Sequence, residues 1–408
     1  MLGRSFLKMG ISLRTAMTSI TLIVNALVWY GYATALLVSA KDAMALGEVH
    51  NWIFYGINFG SAVTSMIIGA SIMSRIRSRQ RFLMAWTILG VIASIIPVAF
   101  DVSSFANVLV VSTLLSTSFG LGLPAVLAYF SDATVAENRS KFAAIVLMLD
   151  FLAAFCLKLA MSDSTVVNFS VLAGWRTAGL VALPFLAHRN DSGALFQKAS
   201  IVNILQTRSY VLYLIPWLVF SIVNSFGWNI LARVHGEGFV YSLDLIERIV
   251  QGVSAVAAGF LADRLGRKRV IMSGFILFGL GYAILGISPE SMFSLYFYTV
   301  ADGIAWGIIF VIFFFTLWGD LAIGRRSEKY YAIGVLPYSL SSFIRVTAAS
   351  LIADAIAPTA VFSLAAFFLF LAVTPLMYAP ETLPEKKIHE RELRVYVDKA
   401  KKVKQKYA

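Results

Sequence analysis

The chain has 408 residues, 59% of them hydrophobic and 14% charged, with a formal net charge of +12. A soluble domain carries about 25% charged residues, so much of this surface does not face water. The cations lie between apolar runs, which sets nucleic acid aside and points to membrane orientation and lipid headgroups.

Apolar runs of roughly 20 residues recur along the length, each enough to cross about 30 Å of hydrocarbon. They show no strict alternation, so they read as helices. Twelve spans follow in chain order. Helix 1 covers about 15–39, helix 2 about 51–73 and, after the basic turn Ser74–Arg81, helix 3 about 82–100. Helix 4 covers about 106–130, helix 5 about 142–160 and helix 6 about 171–187. Helix 7 covers about 210–231, helix 8 about 243–262 and helix 9 about 270–287. Helix 10 covers about 292–317, helix 11 about 330–353 and helix 12 about 359–379.

The fold class is therefore an all-α integral membrane protein with twelve transmembrane helices in two pseudo-symmetric six-helix bundles. Residues 1–187 form the first bundle, 188–209 a cytoplasmic linker, 210–380 the second bundle and 381–408 a charged cytoplasmic tail. Lys and Arg concentrate in the N-terminal arm, alternate turns, linker and tail, which places both termini in the cytoplasm. The tail carries acids first and lysines last, with Leu393, Tyr396, Val397, Ala400 and Val403 on one face. It reads either as a helix on anionic lipid or as a solvated stop-transfer segment. Cys156 is the single cysteine, so no intrachain disulfide forms.

The halves repeat. SRIRSRQR at Ser74 precedes DRLGRKR at Asp263 by 189 residues, and Asp132 precedes Asp320 by 188. Gly120 and Gly122 in helix 4 echo Gly303 and Gly307 in helix 10. Small residues four apart let helices approach closely in lipid.

The stretch from Gly259 to Met272, GFLADRLGRKRVIM, is a short basic connection between two apolar runs. Gly259, Leu261, Ala262, Asp263, Arg264, Gly266, Arg267 and Lys268 resemble the loop signature G-x-L-A-D-R-x-G-R-K of the major facilitator superfamily. Asp132 and Arg139 match the acid and arginine, seven apart, of that family's helix 4–5 turn. Gly174-Trp175-Arg176 and Ala379-Pro380-Glu381-Thr382 are similar to its entry to helix 6 and its P-E-T end. The resemblance implies alternating access, with substrate between the halves near the midplane, and a gating role for the loop residues. It implies that Asp263 latches onto the positive N-terminal end of helix 5, near Arg139 and Lys141. The first-half copy has Ser74 or Met73 where the acid belongs, so one strong latch and one weak one are expected. Ser116 stands where drug-efflux relatives carry arginine, helix 5 lacks their Gly- and Pro-rich motif, and the sugar porters' P-E-S motif after helix 6 is missing.

Charges inside spans are costly unless paired or wetted, and mark pathways by default. Asp150 and Lys158 lie in helix 5, Glu247 and Arg248 in helix 8, Asp302 in helix 10 and Arg345 in helix 11. One reading has Lys158 and Arg345 grip an anionic group while Asp150, Asp302 or Glu247 carries a coupling proton. The other has these charges pair with each other, Asp302 with Arg345 for example, and only hold helices together. Asn25, Trp29 and Tyr30, with Asn224, Trp228 and Asn229, are uncharged lining candidates. No Walker loop, nucleophile elbow or metal-ligand spacing is present. The reading is a non-enzymatic secondary transporter, a monomer without cofactor, with a small-molecule substrate, protons and membrane lipid as partners. Proton-coupled symport of a small polar or anionic metabolite is the first reading. An exporter of drugs or metabolites and a non-transporting membrane sensor are the alternatives.

Overall fold

Serines just ahead of four apolar runs start the helices of the first half. Ser12, Ser78, Ser104 and Ser164 each accept a hydrogen bond from the amide three residues on, at 3.1, 3.4, 3.3 and 3.5 Å, satisfying one of the free donors at a helix N-terminus. The computed structural model describes residues 10–76, 78–100, 102–183, 200–322, 324–347 and 356–383. The first half comprises α1 (Leu13–Ala43), α2 (Glu48–Met73), α3 (Arg79–Ala99), α4 (Phe105–Ala133), α5 (Arg139–Leu159) and α6 (Thr165–Ala182). The second comprises α7 (Arg208–His235), α8 (Glu237–Leu265), α9 (Arg267–Ile287) and α10 (Met292–Leu321). It ends with α11, in two pieces Glu328–Gly334 and Leu336–Thr347, and α12 (Pro358–Tyr378). Ten of these helices are long and apolar enough to cross a membrane by length and composition, with α6 and α11 the other two. The linker's residues 188–199 and the tail's 384–408 lie outside the described residues.

Packing repeats with an offset of six helices. α2 packs on α4 as α8 does on α10, α3 on α6 as α9 on α12, and α1 on α5 and α6 as α7 on α11 and α12. The halves meet where α5 lies against α8 and α2 against α11, two contacts related by the same offset. The repeated glycines explain the close crossings. A Cβ on Gly120 would fall 2.0 Å from Ser65 Oγ of α2, and one on Gly303 would fall 2.8 Å from the Glu247 carbonyl of α8.

Three spans differ from the sequence reading. α8 begins at Glu237, because Gly236 at φ +88° turns the chain directly from α7 into α8. α6 begins at Thr165, where Ser164 caps it. The segment Gly259–Met272 is no loop: α8 runs to Leu265, Gly266 turns the chain at φ +102°, and α9 starts at Arg267. Within α10, Phe310–Thr316 forms a wider π-helical turn, in which Thr316 Oγ1 donates to the Val311 carbonyl at 2.9 Å. Such turns recur at functional positions.

Gly120→Val overpacks the α2–α4 crossing and costs about 1–3 kcal/mol, whereas Gly56→Ala, with open space at its Cβ, is close to neutral. Thermal unfolding of the purified protein in detergent compares the two.

Candidate functional site

Where α8 meets α5, the side carrying the basic turns is closed by a buried charge network. Asp263, fully buried near the end of α8, accepts hydrogen bonds from the Ser140 and Lys141 amides at 3.2 and 2.8 Å. Those amides open α5 in the other half, where the helix dipole favours an anion. Gly259 lets the two helices close, since a Cβ there would fall 2.6 Å from the Ser140 carbonyl. Arg267 is fully buried, 3.2 Å from Asp263 and 2.8 Å from Asp320, and donates to the Ala136 carbonyl across the junction. Arg139 pairs across the junction with Asp320 and donates to Thr134 Oγ1 at 3.0 Å and the Ser131 carbonyl at 2.9 Å. Two acids and two arginines thus balance in a buried site, which compensates the cost of burying each charge.

Glu381 holds the start of α9. It accepts from the Arg267 and Lys268 amides at 2.9 and 3.2 Å, and a Cβ on Gly266 would fall 2.4 Å from its carboxylate. Lys268 Nζ donates to the Met377 carbonyl at 2.6 Å, while Arg264 is exposed.

At the α2–α11 junction, Arg79 joins Asp132 at 2.7 Å and the fully buried Glu328 at 2.6 Å. Arg326 donates to the Met73 carbonyl at 3.0 Å. The weak latch expected there is a second inter-half contact of different construction.

Inside the membrane, Asp302 is 4% exposed, and its Oδ1 has no hydrogen-bond partner among the described residues. Its charged neighbour is Glu247 on α8, and Tyr298 one turn earlier interacts with it. Tyr298 in turn donates to the Tyr282 hydroxyl at 3.3 Å. Asp150 likewise has a buried, unpartnered Oδ1. It shares the surroundings of Tyr338 with Arg345 and Arg248. The Tyr338 ring packs edge-on against Trp306, Phe310 and Phe314, at 6.1, 5.6 and 5.9 Å between centroids. Trp306 donates to Asn224 Oδ1 at 3.2 Å, and Asn229 to the Arg345 carbonyl at 3.2 Å. Across from them, the Tyr30 hydroxyl lies 3.1 Å from Ser116 Oγ, which also accepts from Asn58 at 2.8 Å.

Residues 200–405, half of the chain, match the sequence profile of the Major Facilitator Superfamily. The chain belongs to the major facilitator superfamily. No curated protein matches its sequence significantly. The fold is similar to that of the human organic anion transporter MFSD10, at 14% identity and TM-score 0.62 over 89% of this chain and 98% of that one. It is also similar to the Escherichia coli fucose:proton symporter FucP, at 10% identity and TM-score 0.67 over 89% and 98%. A bacterial homologue of the iron transporter ferroportin in an outward-facing state matches at 12% identity and TM-score 0.68 over 90% and 98%. The chain is thus a multi-pass transporter of facilitator architecture.

Within this facilitator fold, the loop residues Asp263, Arg267, Asp132 and Arg139 come together at the junctions. The intramembrane candidates divide. Asn25 is corrected from a lining residue to a packing one. Its side chain is buried against α6, donating to the Trp175 carbonyl at 2.5 Å and accepting from Arg176 at 2.8 Å. Lys158 is exposed in the last turn of α5, and the second cation near Arg345 around Tyr338 is Arg248. No ion pair among the described residues joins Asp302 to Arg345; the acid faces Glu247 instead. The side chain of Trp228 lies outside the described residues.

Sequence reasoning missed Arg79, Arg326 and Glu328, because charged turn residues read as solvated. It also passed over Arg176 as a functional candidate. This fully buried guanidinium sits 4.9 Å from the Trp29 ring and 4.2 Å from the Trp86 ring. The two indoles compensate its charge by cation–π attraction.

Asp320→Asn leaves Arg139 and Arg267 under-neutralised in a buried site and costs about 3–5 kcal/mol. Asp132→Asn, whose carboxylate is 37% exposed, costs under about 1 kcal/mol. Melting temperatures in detergent separate the two.

Proposed function

We propose that this facilitator moves a small polar or anionic metabolite across the cytoplasmic membrane by alternating access, in symport with protons. The observation that carries the reading is a contrast in how charges are treated. At the basic side they are paired and buried across the junctions, whereas between the halves Asp150 and Arg345 lie around Tyr338, and Glu247 near Arg345, without an ion pair joining the three among the described residues. Unpaired charges in a membrane interior are expensive and are retained where a ligand or proton completes them.

In this reading Arg345 meets the anionic group of the substrate, with Arg248, which holds Asp244 at 2.6 Å one turn earlier on α8, as the second cation near it. Trp306, Tyr338 and Asn224 line one wall, and Tyr30, Asn58 and Ser116 the other. Asp302, buried beside Glu247 and with no ion pair to a cation among the described residues, carries the coupling proton. Bundles 1–187 and 210–380 rock about the site. Asp263 and its network close the side that carries both termini, which is cytoplasmic by its excess of Lys and Arg. The protein works as a monomer in the lipid. The organic anion specificity of MFSD10 and the proton coupling of FucP, as named in their titles, are compatible with this assignment.

Proteoliposomes holding a pH-sensitive dye and challenged with organic acids, sugars, amino acids and lipophilic cations test it. An anionic or polar solute acidifies the lumen. Asp302→Asn loses that acidification but keeps solute counterflow, because a permanently neutral side chain mimics the loaded proton site. Arg345→Ala raises the KM for an anionic solute roughly tenfold or more, the worth of one charged hydrogen bond. Solute flux without acidification rules out proton symport. Unchanged KM in Arg345→Ala removes the arginine from the substrate site.

A further inference from the structure

The two junctions on the basic side occupy equivalent places in the repeat but use opposite signs. Arg139 opens α5 and Glu328 opens α11, 189 residues later. Arg139 reaches across to Asp320 at the end of α10, whereas Glu328 receives Arg79 from the start of α3. Within each half the supporting pair is preserved: Arg79 holds Asp132 as Arg267 holds Asp320, and both members of each pair are 188 residues from their counterparts. At the family's acid position α8 supplies Asp263 to the α5 amides, while the first half has Ser74 or Met73, neither of which carries a charge. There the opposite half provides the charge instead. Arg326 donates to the Met73 carbonyl at 3.0 Å, and its Nη1 lies 3.5 Å from the Ile76 carbonyl. The Met73 carbonyl ends α2, the negative end of its dipole, where a cation is stabilised, and Ile76 follows just beyond it.

We infer that Arg79, Arg326 and Glu328 form a second latch of reversed polarity, and that the basic side closes only when both latches engage. This rests on the alternating-access reading. A carboxylate on a helix N-terminus joins α8 to α5. A guanidinium on a helix C-terminus, backed by the Arg79–Glu328 pair, joins α2 to α11. Glu328 is fully buried, and its Oε2 has no hydrogen-bond partner among the described residues. Separating the halves at this junction exposes Glu328 and Arg79 to water, so the latch is bistable: paired and dry, or apart and hydrated. The residues are positioning groups for the closed state and do not touch substrate.

The test uses the full chain with Cys156→Ser, and spin labels at Arg81→Cys and Arg269→Cys, exposed positions on the basic side of opposite halves. Pulsed electron resonance reads the distance between them. Arg79→Gln and Glu328→Gln each raise the open population about tenfold, within the range of coupling between sites. Their double variant goes no further than the larger single one, because both break one bond. Arg326→Ala also opens this side, and Arg326→Lys restores closure, since an ammonium serves carbonyls as well and a merely structural arginine would not be rescued. Additive effects of Arg79→Gln and Glu328→Gln, or no shift in any of these variants while Asp263→Asn opens the side, overturn the second latch and leave alternating access standing. A single fixed distance in every variant, Asp263→Asn included, overturns alternating access as well.

Discussion

A carboxylate resting on the first amides of a helix from the other half is the interaction on which this architecture turns. Asp263 can do this because three local features agree. Gly266 ends α8 just beyond it, so the side chain lies at the bundle edge. Gly259 removes the Cβ that would hold α5 away. Arg267, one turn on, neutralises the acid from its own half. The same arginine then reaches Asp320, which holds Arg139, so the contact spreads into a network in which each buried charge meets an opposite one. Such a network is stable when complete and costly when partly separated. That suits a closure that must be either made or broken.

The interior follows the opposite logic. Asp150 and Asp302 each keep a carboxylate oxygen without a protein partner among the described residues, in surroundings of tryptophan, phenylalanine and tyrosine. A protein optimised only for stability would pair such groups or replace them with apolar ones. Arg176 also keeps two nitrogens, Nε and Nη2, without a hydrogen-bond partner among the described residues, but its charge is compensated by two indole rings and by its hydrogen bond to Asn25. The aromatic wall around Tyr338 owes part of its shape to the wide turn of α10 at Phe310–Thr316, which re-aims the Phe310 and Phe314 rings so that they stack 4.6 Å apart.

Repetition with variation runs through both regions. The repeat places Arg139 and Glu328 at equivalent helix starts, so the change of sign between them is visible as soon as the halves are superposed on their offset of 189. What the change accomplishes becomes visible only with Arg79 and Arg326 beside it. Pseudo-symmetric bundles need to agree in shape, and the sign of a latch is free to differ, because an anion on an N-terminus and a cation on a C-terminus satisfy helix dipoles equally.

The sequence by itself determined the membrane class, the helix count, the repeat and the family loop, because hydrocarbon thickness and the satisfaction of backbone groups leave few alternatives for apolar runs of this length. It also carried the start of α5 as the place for Asp263. Only the tertiary structure decided which face each polar side chain presents. Asn25 turned to α6 rather than to the cleft, Lys158 ended exposed at the end of α5, and Asp302 met Glu247 rather than Arg345. Helical periodicity fixes the angles of side chains around one axis, whereas partners depend on the rotation and depth of neighbouring helices. Those are set by close contacts such as Gly303 on Glu247 and Gly120 on Ser65. The turn charges Arg79, Arg326 and Glu328 were hidden for the same reason: whether a charged turn is solvated or buried is settled by the half that packs over it.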